Sequence, residues 1–494
     1  MNKQYIKQNL PAILYSTEQV RELDRIAIEE HGIPGLTLMT QAGQDACALL
    51  RDRWPDVLKI VVFCGSGNNA GDGYIVALEA RLIGKQVSVI TVSPDVNLHG
   101  DALLAYQQYI ESGGRVIDYH KDIEFDADVI VDGLLGTGLG REVTGLYAHA
   151  VAAINQNNSP VLSLDIPSGL HADSGCVMGC AVKADCTISF IGLKQGLFTG
   201  QAADYCGAIY FSSLAVPDQI YQGINSNIKR VNSVTIPQRN RCSHKGSNGH
   251  VLVIGGEQGF SGAVRLAAEA AARSGAGLIS IATRTAHASL IAIARPELMC
   301  HGVEYQDDIL PLLNRSSVYA IGPGLGKNQW AKELFNTTLA LKKPMVIDAD
   351  ALNLLAETPV HYDQWVLTPH PGEAARLLQC TVAEIQQDRF RAVSQLQQKY
   401  GGIVILKGAG SLIADCENIY VSNTGNPGMA SGGMGDLLTG IVAALIAQGW
   451  SLLDAATTAV YVHGKAADRA IVDGERGLLA SDLLPHIRKL LNNK

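Results

Sequence analysis

Short apolar runs alternate with segments of helical periodicity along the first 200 residues. Ser16-Thr17-Glu18-Gln19 has the pattern of a capping box and predicts a helix through about Glu30. Strands are predicted at 58–64 and 86–92, and two more run into polar, glycine-rich loops over 127–138 and 159–169. A glycine-rich loop is predicted at 65–73, followed by a helix from Tyr74. Strands separated by helices favour a parallel, doubly wound sheet.

The alternation lapses over residues 213–245, which are polar and without clear period, and then resumes. The second series predicts a helix at 261–275, closing helices at about 436–447 and 454–469, and strands beginning the segments 250–256, 318–324, 344–351, 365–373 and 402–408. A chain of 494 residues is long enough for two domains. We predict two α/β domains, 1–220 and 221–494, each a three-layer αβα fold and the first of them Rossmann-like. No motif repeats between the halves, which indicates a fusion of two domains.

Composition excludes several classes of protein. The net charge of −8 disfavours a nucleic-acid surface, although glycine-rich loops can still bind an anionic nucleotide. The ten cysteines include no CxxC pair, which disfavours zinc and disulfides. No signal peptide and no run of about 18 apolar residues occurs, so we expect a cytoplasmic protein with no membrane or nucleic-acid partner.

The loop at 65–73 lies where an open α/β sheet binds phosphate, between a strand and a helix. Residues 65–70 fit the loose dinucleotide pattern GxGxxG/A. The second strand, however, ends without the acid that holds ribose hydroxyls in dehydrogenases. An ordinary NAD dehydrogenase is therefore disfavoured.

Two aspartates stand at predicted strand ends, Asp132 and Asp165, and glycines follow each of them. Either could be a turn or helix-cap residue. Their placement with Asn69 and Ser168 favours a site instead, since carboxylate, amide and hydroxyl oxygens suit a hard cation.

Four motifs then make the first half similar to the NAD(P)H-hydrate epimerase domain over about residues 12–215. They are NNAGDG (68–73), DGLLGTG (132–138), DIPSG (165–169) and GLKQGL (192–197). The resemblance implies a potassium ion held by Asn69, Asp132 and Ser168. It also implies that hydrated nucleotide contacts Asn68, Asn69, Ala70, Gly71, Asp72, Gly136, Thr137, Gly138, Leu139, Gly140, Arg141, Glu142 and Asp165. The segment 38–43, LMTQAG, departs from the family's usual LMENAG.

Epimerisation must break and re-form a bond at the hydrated carbon, and a carboxylate beside the ring could move protons or stabilise positive charge. Asp165 is the candidate catalytic residue, with Lys194 second. The alternative for Lys194 is a solvated surface lysine.

In the second half, Asn426 to Asp436 reads NPGMASGGMGD and precedes an apolar helix. Backbone N–H groups and the helix dipole would gather there around a phosphoryl group, and Asp436 could act as general base. As a mere N-cap, Asp436 would leave the glycines unexplained. No Walker A motif occurs.

The glycine run ending in Gly-Asp resembles the ribokinase-like superfamily. Within it, GPGLG (322–326), DADALN (348–353), TPHPGE (368–373) and KGAGS (407–411) are similar to the ADP/ATP-dependent NAD(P)H-hydrate dehydratase. The resemblance implies that hydrated nucleotide contacts Ala263, Gly324, His370 and Asp436. It implies that ADP, with Mg²⁺, contacts Lys407, Gly408, Ala409, Gly410, Ser411 and Gly435. The alternatives are a structural histidine at 370 and a strand-end surface lysine at 407.

Together the two resemblances imply repair of hydrated NADH and NADPH. The first domain would interconvert the R and S hydrates, and the second would dehydrate the S form with ADP, or with ATP. We expect a homo-oligomer. A ribokinase-like small-molecule kinase fused to a non-catalytic nucleotide-binding domain is the alternative enzyme, and a non-catalytic scaffold is the alternative from another class.

Overall fold

The structure, a computed structural model, describes the backbone of residues 5–6 and all of residues 10–92 and 98–492. The chain forms two compact units, Met1–Arg230 and Val231–Lys494. Both are α/β folds, which confirms the predicted fold class. The predicted domain boundary after residue 220 stays a prediction.

The first unit is built on an eight-stranded sheet in the order β1-β9-β8-β7-β6-β3-β4-β5. Its strands pair in parallel except for β1, which is antiparallel to β9. Outside this sheet, β2 pairs antiparallel with β10. The strands are β1 (Tyr5–Ile6), β2 (Ile13–Leu14), β3 (Lys59–Cys64), β4 (Gln86–Thr91), β5 (Val116–Asp118), β6 (Val129–Gly133), β7 (Val161–Leu164), β8 (Cys186–Phe190), β9 (Ala208–Ser212) and β10 (Ile228–Arg230). The four predicted strands, β3, β4, β6 and β7, are confirmed.

Helices cover both faces of this sheet because successive strand residues point to opposite sides. Val62 packs in a cluster with α1 to α4, whereas Val61 and Phe63 pack in another with α5. The helices are α1 (Thr17–Arg25), α2 (Gly35–Arg53), α3 (Asn68–Leu82), α4 (Gly100–Glu111) and α5 (Gly145–Gln156). The predicted capping box is present at the start of α1, which continues as a π-helix over Ile26–Glu30.

The predicted loop at 65–73 is wrong beyond its first three residues, because α3 begins at Asn68. Two glycines inside the helix allow close packing. A Cβ atom on Gly71 would stand 2.5 Å from Met39 Sδ, and one on Gly73 would stand 3.0 Å from Cys64 Sγ. Tertiary packing therefore outweighs the low helix propensity of glycine at these positions.

The second unit has a larger sheet in the order β13-β12-β11-β14-β15-β16-β17-β18-β19. The pairs from β13 to β17 are parallel, and β18 and β19 add an antiparallel edge that the sequence did not predict. The strands are β11 (His250–Ile254), β12 (Leu278–Thr283), β13 (Met299–Gly302), β14 (Val318–Ile321), β15 (Met345–Ile347), β16 (Trp365–Leu367), β17 (Ile403–Leu406), β18 (Ser411–Ala414) and β19 (Ile419–Ser422).

The helices of this unit include the predicted pair near the end of the chain, α14 and α15, of which α14 is almost wholly buried. They are α6 (Ser261–Arg273), α7 (Thr285–Ala294), α8 (Gln306–Arg315), α9 (Gln329–Ala340), α10 (Ala349–Glu357), α11 (Pro371–Leu378), α12 (Val382–Gln387), α13 (Arg389–Tyr400), α14 (Met434–Ala447), α15 (Leu452–Ala470) and α16 (Ala480–Leu490). Among the described residues, no helix has the length and apolarity needed to cross a membrane.

Candidate active sites

A cavity of about 550 Å³ opens at the carboxyl ends of the strands in the first unit. β3 and β6 are neighbours there although they are not consecutive, which is the switch point where open α/β sheets bind ligands. The predicted site residues that line the cavity are Asn68, Asn69, Asp72, Gly136, Thr137, Gly138, Leu139, Gly140, Arg141, Asp165 and Lys194. Three predicted nucleotide contacts do not line it, since Ala70 and Gly71 are buried and Glu142 is exposed at the surface.

The predicted potassium ligands converge beside this cavity. Asp132 is fully buried and accepts hydrogen bonds from Ser168 Oγ at 2.6 Å and from Ser168 N at 2.9 Å. Asn69 Nδ2 donates to Leu135 O at 3.1 Å, and Leu135 N donates to Ser168 Oγ at 2.8 Å. The backbone of Leu135 therefore joins Asn69 to the Asp132–Ser168 pair.

Asn69 Oδ1 is buried and accepts no hydrogen bond from the residues that the structure describes. A buried carbonyl oxygen without a donor costs free energy, and a cation would relieve that cost. Burial also raises the pKa of Asp132, and hydrogen bonds from Ser168 and Ser163 oppose the rise. The oxygens present thus fit a hard monovalent cation. No group of three His, Cys, Asp or Glu side chains among the described residues is arranged for a metal.

Asp165 and Lys194 form an ion pair at the base of the cavity. Lys194 is fully buried, and its Nζ donates to Asp165 Oδ1, to Phe190 O at 2.9 Å and to Ser189 Oγ at 3.2 Å. Phe190 N also donates to Asp165 Oδ1, at 3.2 Å. The surface-lysine alternative is wrong. Asp165 has a φ of 64°, a strained conformation for a residue other than glycine.

Two carboxyl groups in the cavity complete a cluster around this pair, Asp24 and Asp72. Burial raises the pKa of Asp24 to about 6; Asp165 adds to the rise and Lys194 opposes it. Burial raises the pKa of Asp72 well above its usual range, with a further contribution from Asp165. Sequence analysis missed Asp24. The available signal was helical spacing, since Val20, Asp24 and Ala27 share one face of the first helix and both apolar members are buried.

In the second unit, one buried carboxylate joins three of the sequence motifs to the helix that follows the glycine-rich motif. Asp348 Oδ1 accepts from Lys407 Nζ at 2.9 Å and from Thr368 Oγ1 at 2.7 Å, while Oδ2 accepts from Thr439 Oγ1 at 2.8 Å. Asp348, Thr368 and Lys407 follow the adjacent parallel strands β15, β16 and β17, and Thr439 lies on α14. These motifs meet because the carboxyl ends of the strands share one edge.

Lys407 is largely buried, so its surface alternative is wrong. Burial favours the neutral amine, but the carboxylates of Asp348 and Glu373 outweigh that effect and raise the pKa of Lys407. Glu373 Oε2 lies 3.8 Å from Lys407 Nζ. Asp348 and Glu373 were not predicted as site residues, although they lie inside the motifs DADALN and TPHPGE.

Asp436 is the third residue of α14 and lies close enough to Lys407 and Asp348 to interact with their charges. Burial raises the pKa of Asp436 to about 7; Asp348 adds to the rise and Lys407 opposes it. The N-cap position belongs to Gly433, which has a φ of 89°, so the N-cap alternative for Asp436 is wrong. A Cβ atom on Gly435 would stand 3.4 Å from Lys407 Nζ, which places that glycine beside the lysine.

The remaining predicted residues lie around this centre. Lys407 to Gly410 form the turn between β17 and β18, and Ser411 Oγ donates to Gly408 O at 3.0 Å. Buried Arg389, which sequence analysis missed, supports the turn by donating to Lys407 O at 3.3 Å. Ala263 and Gly324 adjoin each other, since a Cβ atom on Gly324 would lie 3.4 Å from Ala263 Cβ.

His370 is half-exposed and caps α11, with its Nδ1 accepting from Gly372 N at 2.9 Å. This hydrogen bond gives His370 a structural role, which was the alternative prediction for this residue. Its Nε2 lies 3.3 Å from Glu373 Oε1, so Glu373 links it to Lys407.

The fold and these sites define an α/β enzyme with two separate clusters of buried ionisable groups. A family model described as NAD(P)H-hydrate dehydratase matches residues 251–489, and one described as YjeF-related protein N-terminus matches 35–196. A bifunctional NAD(P)H-hydrate repair enzyme of Coxiella burnetii is 48% identical over 97% of this chain and 99% of its own. Its counterpart in Vibrio cholerae is 44% identical over 98% and 99%. The structure of the ADP/ATP-dependent NAD(P)H-hydrate dehydratase from Bacillus subtilis, crystallised with ATP and Mg²⁺, has a TM-score of 0.48 at 29% identity, covering 52% of this chain and 94% of that one.

The chain belongs to the family of bifunctional NAD(P)H-hydrate repair enzymes. This membership confirms the resemblance in both halves of the sequence.

Proposed function

We propose that this chain repairs hydrated NADH and NADPH by epimerisation in its first unit and ADP-dependent dehydration of the S hydrate in its second. The observation that carries the proposal is that each family motif set gathers around its own lysine–carboxylate pair, Asp165–Lys194 in one unit and Asp348–Lys407 in the other. Each pair has a further carboxyl group near it, where a proton can be exchanged.

In the second unit, Asp436 takes the proton of the substrate hydroxyl while ADP transfers a phosphoryl group to the oxygen. The phosphorylated oxygen then leaves as inorganic phosphate, and loss of a proton from the neighbouring ring carbon forms the double bond that restores the dihydronicotinamide ring, while ADP becomes AMP. Lys407 and the turn up to Ser411 hold the nucleotide phosphates, with Gly435 beside them. Ala263, Gly324 and His370 hold the hydrated nucleotide. Mg²⁺ would be held mainly by the phosphate oxygens of ADP and would supply positive charge to the phosphoryl group that is transferred.

In the first unit, Asp165 lies beside the hydrated ring and stabilises positive charge on it, while Lys194 fixes the orientation of that carboxylate. The loop over Gly136–Glu142 and the start of α3 hold the rest of the nucleotide. Its phosphates suit the N-terminus of α3, where the helix dipole favours negative charge.

A potassium ion would be held by Asn69 Oδ1, Asp132 and Ser168, and it would supply fixed positive charge close to an anionic ligand. The unpartnered Asn69 Oδ1 supports this assignment. The hydrogen bonds through Leu135 connect the same residues to the loop that follows β6, so the ion would also fix that loop.

The test is an assay of the full-length chain on hydrated NADH, supplied as pure S hydrate and as a mixture with the R form, with ADP and with ATP. NADH absorbance at completion should correspond to conversion of all the hydrate supplied, and the rate should be higher with ADP than with ATP. Asp165→Asn should stall on the mixture when the S form is consumed, and Asp436→Asn should restore NADH about 10²–10⁴-fold more slowly than wild type.

The matched control is Asp173→Asn, which changes an aspartate of the first unit that bonds Thr17 instead of lining the cavity. Consumption of ADP without recovery of NADH absorbance would favour the small-molecule kinase. Absence of any turnover would favour a non-catalytic scaffold. We also expect a cytoplasmic homo-oligomer, which sedimentation and cell fractionation would test.

A further inference from the structure

Asp24 is an acid in an unusual position. It lies in the last turn of α1, just before the π-helix at Ile26–Glu30, and its side chain lines the cavity of the first unit. Within the part of the chain that the structure describes, its carboxyl group receives no hydrogen bond. π-Helical turns of this kind occur frequently at functional sites.

Two buried acids of the same unit, Asp45 and Asp132, are satisfied by the protein. Asp45 bonds the hydroxyl of Ser212 and takes a hydrogen bond from Gln41 Nε2 at 3.0 Å. Asp132 receives hydrogen bonds from two serines. An acid that serves only the fold gains such partners, since burial without them costs free energy. The oxygens of Asp24 are instead left for a ligand in the cavity.

We propose that Asp24 is a catalytic residue of the epimerase, which gives a proton to the hydroxyl of the hydrated ring and later recovers it. This inference rests on the proposed function of the first unit. Asp165 is less suited to the same task, because its Oδ1 already accepts from Lys194 Nζ and from Phe190 N. Two carboxyl groups in different surroundings can divide such work, one as acid and one as charge stabiliser.

The reaction balances without a redox partner. The carboxyl of Asp24 donates its proton to the hydroxyl oxygen, the carbon–oxygen bond breaks, and water leaves with the bonding electrons. The lone pair of the ring nitrogen forms the carbon–nitrogen double bond, and the resulting cation lies against the Asp165 carboxylate. Water then adds to the opposite face of the ring, and the proton it releases returns through cavity water to the Asp24 carboxylate. The products are the other epimer and the original enzyme.

Several charged groups share the cavity with Asp24. They are Arg21 on its own helix, Asp72 on α3, Asp101 on α4, and the Asp165–Lys194 pair, and of these Asp72, Asp165 and Lys194 interact with the charge of Asp24. Burial raises the pKa of Asp24 to about 6, so a useful fraction of the carboxyl is protonated close to neutral pH. Epimerisation should therefore slow as pH rises above that value.

The experiment measures conversion of pure S hydrate into R hydrate by the full-length chain without ADP, followed by chromatography between pH 6 and 9. Asp24→Asn should lower kcat by about 10²–10⁴-fold, change KM only a few-fold and abolish the alkaline decline. Asp24→Glu should recover part of the rate and the decline. Glu22→Gln, on the same helix but with its carboxylate paired to Arg25 at the surface, should behave as wild type.

Dehydration of S hydrate with ADP by the same variants reports the amount of folded chain independently of the first unit. A kcat for Asp24→Asn within about threefold of wild type, or an alkaline decline that persists in it, would overturn the inference. Failure of Asp24→Glu to recover any rate, with Asp24→Asn inactive, would also count against proton transfer by this group. If wild type itself exchanges no epimers, the proposed epimerase function fails first.

Discussion

Replacing Asp436 by Asn tests the dehydratase mechanism most directly, because the change removes basicity and keeps size. The side chain lies near the Asp348–Lys407 pair at the start of α14, and the glycine turn before it is untouched. General bases contribute about 10²–10⁴-fold to rate, which corresponds to about 3–5 kcal/mol of activation free energy. We expect a loss of kcat of that size, with a KM for ADP within a few-fold of wild type, since backbone N–H groups hold the phosphates.

The pH dependence of the wild type gives a second measurement on the same residue. Burial raises the pKa of Asp436 to about 7, and a base must be unprotonated to act. The rate of dehydration should therefore fall about tenfold per pH unit below that value, whereas the residual rate of Asp436→Asn should be flat across the same range.

Asp436→Asn should make the folded protein more stable at neutral and alkaline pH, although it lowers activity. A pKa of about 7 in place of 3.8 means that the ionised Asp436 costs on the order of 4 kcal/mol in the folded protein. Because the folded pKa is raised, this cost is absent below the ordinary pKa, grows with rising pH through the interval between the two values, and is complete above pH 7. Asp436→Asn should therefore resist urea better than wild type at pH 8 and hardly differ from it near pH 4.

The assay follows NADH recovery from pure S hydrate with saturating ADP, alongside urea unfolding of both proteins at the two pH values. Asp454→Asn, a capping change at the exposed start of α15, is the matched control. Turnover of Asp436→Asn within a few-fold of wild type would refute the role of general base. Equal urea midpoints at pH 8 would refute the assigned burial of the charge.

Three further predictions concern the ion pair, the cation site and the division of labour. Asp348→Asn should lower the free energy of unfolding of the second unit by about 3–5 kcal/mol in urea, because it removes the carboxylate bonded to the buried Lys407 ammonium. Thr439→Val removes only one hydrogen bond to Asp348, and a decrease for Asp348→Asn no larger than that of Thr439→Val would contradict the prediction. Asp132→Ala, or exchange of potassium for a large organic cation, should abolish epimerisation and leave dehydration of S hydrate intact, and an unchanged rate of epimer exchange would exclude the cation site. Chains separated within 220–228 should divide the reaction: the C-terminal part should stall on mixed epimers until the N-terminal part is added, and complete conversion by the C-terminal part alone would contradict the separation of activities.

Much of both sites could be predicted because parallel strands bring their carboxyl ends together. Asp132 lies near the end of β6 and Ser168 follows the adjacent strand β7, and their hydrogen bonds follow from that placement. Asp348 and Lys407 are related in the same way across β15, β16 and β17. Loop residues after apolar runs were therefore recognisable from the sequence, even though the partners of each carboxylate were not.

Features that depend on packing between distant segments could not be predicted in this way. The first turn of α3 is helical because its glycines fit against Met39 and Cys64, and glycine content alone indicated a loop. Asp24 belongs to a helix far along the chain from Asp165, so its place in the cavity depends on how α1 packs. The antiparallel edge of β18 and β19 rests on short strands without a helix between them, which breaks the βαβ pattern used for the rest.

The two sites reach the same electrostatic arrangement from unrelated motifs. In the second unit, burial alone would raise the pKa of Asp348, but Lys407 and two threonines outweigh that effect and lower the pKa. Asp436 receives no comparable hydrogen bonds from the described residues, and burial raises its pKa to about 7. In the first unit, Lys194 bonds Asp165, whereas the carboxyl group of Asp24 receives no hydrogen bond from the described residues. In each unit the lysine is bonded to one carboxylate, so a neighbouring carboxyl group without that bond keeps its proton to a higher pH. A group near its midpoint can both give and take a proton, which is what epimerisation and phosphoryl transfer each require.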